Sequence, residues 1–111
     1  MLVNLTPHTI NFYNDKNELI YSIEPSGKVA RLKTETVTTG YYETDHAKIP
    51  ITKTIFGKIE NLPEFDDGET DYIVSTLVAQ ACTNRWDIFI PNDLVRDKNG
   101  NIIGCRSLGR I

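Results

Sequence analysis

The chain has 111 residues, 40 % of them hydrophobic and 24 % charged, and its twelve Lys and Arg against fifteen Asp and Glu give a formal net charge of −3. That length suits a single domain, residues 1–111, with one modest core. The acidic balance argues against non-specific binding of duplex nucleic acid, and no apolar run approaches the roughly 18 residues of a membrane span.

Taken in order, the chain reads as short strands punctuated by turns. Val3–Leu5 is a first strand, halted at Thr6-Pro7-His8 because proline restricts the residue before it and donates no ladder bond. Thr9–Tyr13 and Glu18–Ile23 flank Asn14-Asp15-Lys16-Asn17, a polar loop of hairpin length. After Pro25-Ser26-Gly27 comes Lys28–Val37, whose alternation fits a strand half in water. Between Gly40 and Ala47 the pattern lapses into a polar loop or protruding hairpin tip carrying Tyr41, Tyr42 and His46. Strand character resumes over Lys48–Phe56 and Lys58–Glu60, and Pro63–Thr70 is an exposed acidic loop.

Asp71–Val74 is an apolar strand onset running into one helical segment near residues 75–83, which Ser75 or Thr76 would cap. Trp86–Ile90 is a strand stopped at Pro91. Leu94–Arg96 and Ile102–Cys105 then flank the Asn99-Gly100 turn signal. The fold class expected is therefore mainly β (α+β): antiparallel strands and hairpins with one short helix.

Charge is unevenly spread. Residues 1–83 carry −5 and residues 84–111 carry +2, and Arg85, Arg96, Arg106 and Arg110 fall in the last 27 positions. Guanidinium is a planar fork suited to phosphate or carboxylate, so this quarter is the candidate anion site. Arg85, Arg96 and Arg106 are its candidate phosphate ligands, Asn92 a reader of a polar edge, and Trp86 a stacking surface. Ser75 and Thr76 are a further anion candidate if the helix N-terminus is free, against the plainer role of a cap. The plainer role for the arginines is pairing with Asp87, Asp93 or Asp97 at the surface.

Cys82 and Cys105 make no disulfide framework, and His8 and His46 have no ligand spacing. A metal site would need all four from unrelated places, so neither a metal nor a cofactor is expected. A Cys–His nucleophile and base built from Cys105 and His8 is the alternative that would make the protein a small hydrolase, but neither residue has a recognisable catalytic context. No catalytic residue is assigned. The N-terminal stretch has no secretion-signal character, so a cytoplasmic protein is the expectation.

Three stretches occur together: Val3-Asn4-Leu5-Thr6-Pro7-His8, Tyr72 to Ala81, and Val95 to Leu108. In their order and over nearly the whole chain, the sequence resembles a family of small bacteriophage and prophage proteins with an N-terminal Asn-Leu-Thr-Pro-His motif. The resemblance implies a setting in the bacterial host cytoplasm and assigns no reaction, ligand or residue role. The expectation that joins setting and arginines is a non-enzymatic accessory protein. It would bind a small phosphorylated, nucleotide-like host molecule as a counter-defence signal sponge, as a homo-oligomer with sites between subunits. The other expectation is a protein-binding inhibitor of a host enzyme.

Overall fold

A computed structural model describes all 111 residues. The strands are β1 (Leu2–Asn4), β2 (Ile10–Tyr13), β3 (Leu19–Ile23), β4 (Arg31–Glu43), β5 (Lys48–Glu60), β6 (Asp71–Ile73), β7 (Ile88–Arg96) and β8 (Ile102–Gly109), with one helix, α1 (Thr76–Gln80). Six strands form one sheet in the order β1-β6-β7-β8-β2-β3, and β4 and β5 pair only with each other. The protein is mainly β with antiparallel hairpins and one short helix. No helix is long and apolar enough to cross a membrane.

The six-stranded sheet is mixed. β2 with β3 and β7 with β8 are antiparallel, whereas β1 with β6, β6 with β7, and β2 with β8 are parallel. β6–α1–β7 is a small βαβ unit, the connection that parallel neighbours require. Ser75 caps α1 by accepting a hydrogen bond from the Val78 amide at 3.4 Å.

Successive side chains of β6 divide the interior. Tyr72 and Val74 pack with Val78, Ala79, Cys82, Ile88 and Ile90 on the helix side, where Leu32, Ile59 and Leu62 close the cluster from the foot of the β4–β5 arm. Ile73 joins Ile10, Phe12 and Cys105 in a second cluster flanked by Leu2 and Ile23. Leu2 and Ile23 belong to the two edge strands, so the sheet curls until its edges face one core. One side chain spans the seam: the buried Asn4 amide donates to the Ile23 carbonyl at 3.1 Å.

Two sequence expectations are corrected. β7 does not stop at Pro91 but runs through it to Arg96. The Asp87 and Phe89 carbonyls point to β6, accepting from Tyr72 and Val74. Two residues on, the ring nitrogen of Pro91 faces the same side, beyond the end of β6, where no donor is needed. The Gly40–Ala47 stretch is strand as far as Glu43, and only residues 44–47 make the tip. The bulge between Thr38 and Gly40, with Thr39 the extra residue, shifts the alternation of β4 in mid-strand, which disguised a strand of 13 residues.

Candidate functional site

The Asn-Leu-Thr-Pro-His stretch is a loop built around the buried Asn4 side chain. Its Oδ1 accepts from the Thr6 amide at 2.9 Å and the Thr6 hydroxyl at 2.6 Å, and its Nδ2 donates to the His8 carbonyl at 2.8 Å. These bonds close an Asx turn that holds the chain through Pro7 and leaves the side chains of Pro7, His8 and Thr9 exposed.

Against this loop lies the largest cleft of the molecule, about 510 Å³. Its walls are the Thr6–Asn11 segment, the Val74-Ser75-Thr76 junction before α1, Pro91 and Leu94 of β7, and Ile102–Cys105 of β8. No Asp, Glu, Lys or Arg lines it. The Thr6 hydroxyl is committed to Asn4, and the Ser75 oxygen to its cap. The Asn11 amide is held between Ile103 O at 3.3 Å and the Ser22 hydroxyl at 2.7 Å. Thr9, Thr76 and His8 remain as exposed polar groups, so the cleft presents hydroxyls and one imidazole over aliphatic surface.

Cys105 is fully buried at the floor. Burial pushes its thiol above the ordinary 9.0, and the amide N–H groups of Asn92 and Ser107 offset part of that rise. A thiol in that state is a poor nucleophile.

The seven candidate residues fall into separate places. Ser75 and Thr76 line the large cleft, and Arg96 stands across the ladder from Ile102, one of its lining residues. Arg96 is exposed and donates from Nη1 to Gly100 O at 3.0 Å, leaving Nε and Nη2 without a partner in the chain. Arg106 turns instead to the β2–β3 loop, donating to Asn14 O at 3.2 Å and Asn17 Oδ1 at 2.6 Å. Asn92 is exposed on β7 opposite Ser107, with its Cβ beside Gly109.

Arg85 and Trp86 line a different cleft of about 140 Å³ with Arg110 and Ile111. There Arg85 makes a two-pronged pair with the fully buried Asp87, Nε to Oδ1 at 3.0 Å and Nη2 to Oδ2 at 2.6 Å, and its Nη1 donates to Pro63 O at 2.8 Å. The hydrogen bonds to Asp87 hold its pKa above the usual arginine value. All three nitrogens are spent on the fold, and breaking such a pair leaves an uncompensated buried charge costing about 3–5 kcal/mol. Trp86 stands edge-on to Phe65, 5.1 Å between centroids, and Arg110 lies over the Phe89 ring while donating to Trp86 O. No group of three or more His, Cys, Asp or Glu side chains gathers as a metal shell.

Comparison with known proteins finds no matching family model, no matching curated protein and no matching solved structure. The cleft's own chemistry therefore carries the reading of this site. Sequence reasoning named Ser75, Thr76 and Arg96 as separate anion candidates and gave Thr6, Pro7 and Thr9 no role. The available signal was the Asn4-x-Thr6-Pro7 pattern, an Asx turn ahead of a proline that stiffens one cleft wall.

Proposed function

We propose that this is a non-enzymatic binding protein that captures a small phosphorylated, nucleotide-like molecule. The ring system lies in the cleft between the Thr6–Asn11 loop and β7–β8, and the phosphate lies at the Arg96 side. The observation that carries the reading is a 510 Å³ cleft with exposed hydroxyls, aliphatic walls and no carboxylate to repel a phosphate. That volume falls in the range of roughly 300–1,000 Å³ typical of small-ligand sites, which the Arg85–Trp86 cleft does not reach. Arg96, whose cross-strand partner Ile102 lines the cleft, has free guanidinium donors. Capture without turnover is supported by the protonated, buried Cys105 and by a His8 ring that no hydrogen bond within the chain orients. The kinship that the sequence resembles supplies the context: a phage accessory protein in bacterial cytoplasm, holding a host signal out of circulation.

Titration calorimetry with cyclic and ADP-ribose-type nucleotides tests this directly. Binding is expected, and Thr9→Trp, which fills the cleft from an exposed position, weakens it at least about tenfold without lowering the melting temperature. Arg96→Ala weakens the phosphorylated ligand by about tenfold or more and leaves the matching nucleoside unaffected. Silence with every nucleotide, together with no small molecule retained on the protein from infected cells in native mass spectrometry, overturns the proposal.

A further inference from the structure

The β4–β5 arm is the least explained part of the molecule. Its 13-residue strands extend about 43 Å at roughly 3.3 Å per residue. The radius of gyration is 18.1 Å, against about 13 Å expected of a compact chain of this length. Beyond Leu32 and Ile59 at its foot, the arm packs against neither core cluster. A two-stranded hairpin alone is marginal in water.

The register shows what the arm carries. Beyond the bulge at Gly57-Lys58 of β5, Thr34, Thr36 and Thr38 stand opposite Phe56, Thr54 and Thr52, a face of threonines. The other face pairs Glu35 with Ile55, Val37 with Lys53, Gly40 with Ile51 and Tyr42 with Ile49. The second bulge, at Thr39, brings Tyr42 onto this face. Ile49, Ile51 and Ile55 are each about half exposed and Tyr42 is 65 % exposed, so an apolar strip interrupted by Lys53 lies open to solvent.

We infer that this strip docks on the β2–β3 hairpin of a second copy of the chain, the two arms exchanging reciprocally in a two-fold dimer. Two observations select that partner. The first is charge: residues 31–60 hold five Lys and Arg against four Asp and Glu, and the rest of the chain holds seven against eleven, so arm and body have opposite sign. The second is the receiving surface. β3 is an edge strand whose Leu19, Ile20 and Tyr21 are all more than half exposed, with Asp15, Glu18 and Glu24 beside it to meet Lys53. A reciprocal contact of this kind closes on itself.

The dimer is independent of the cleft proposal, and its test requires no ligand. Sedimentation equilibrium of the full chain is expected to show a dimer at micromolar concentration. Ile51→Glu with Ile55→Glu, both at exposed positions, is expected to weaken it on the order of 100-fold while leaving circular dichroism unchanged. Lys53→Glu weakens the dimer at low salt, and Glu18→Lys in the same chain restores it. An equimolar mixture of Ile51→Cys and Leu19→Cys chains is expected to give a mixed disulfide dimer, because both native thiols are buried. A monomer at 100 µM, a dimer indifferent to the double glutamate change, or no mixed disulfide overturns the assignment. So does an arm found occupied by a different protein in native mass spectrometry of material from the host.

Discussion

At the scale of single residues, the two cysteines share one physical cause. Burial raises the thiol of Cys82, the nearby Arg85 charge lowers it in part, and burial also raises Cys105. Both folded-state values lie above 9.0, so on raising the pH the unfolded chain loses its thiol protons first. The stability this confers is complete below about pH 9 and is lost as pH rises through the folded values. Guanidinium midpoints measured from pH 8 to 10 are therefore expected to fall, and the fall is expected to flatten in a Cys82→Ala, Cys105→Ala double variant. The same burial separates legible from illegible chemistry. An arginine beside an aspartate two positions away was visible in the sequence as a pair. That Asp87 sits wholly inside, and so fixes Arg85 to the fold, depended on where β7 lies under α1.

Among the elements, hairpins and helix were readable because their signals are local. Asn99-Gly100 marked the β7–β8 turn, and Ser75 marked the start of α1. The parallel pairings were not readable, since β1 and β6 have three residues each and no turn connects them. Even so, the strand–helix–strand order over residues 71–96 contained the clue for β6 and β7. The cleft depends on one pairing that no pattern announced, β2 beside β8. Gly104 permits it: a methyl group there would run into the Asn11 carbonyl and approach the Tyr13 ring to 2.6 Å. Gly104→Ala is expected to cost at least about 2 kcal/mol in urea denaturation, because the nearest obstacle is backbone. Gly40→Ala, with open space around the glycine, is expected to be neutral or slightly stabilising in the same assay.

Over the whole molecule, stability is divided between a body with two cores and an arm with none. In the Ile51→Glu, Ile55→Glu variant, amides from Thr34 to Lys53 are expected to exchange hydrogen within minutes. Those of Tyr72, Val74 and Leu5, bonded in the body beside fully or nearly buried side chains, are expected to approach the global limit. Hydrogen exchange read by mass spectrometry distinguishes the two regions. The strand order also governs the sequence of events during synthesis. β1 has no neighbour until residue 71 is made, and the β2–β3 hairpin has nothing to join until residue 102. β8, made after all the other strands, links that early hairpin to β7. The helix-side core needs nothing beyond Ile90, so that half of the sheet can close while the β2–β3 hairpin still waits unpaired for β8.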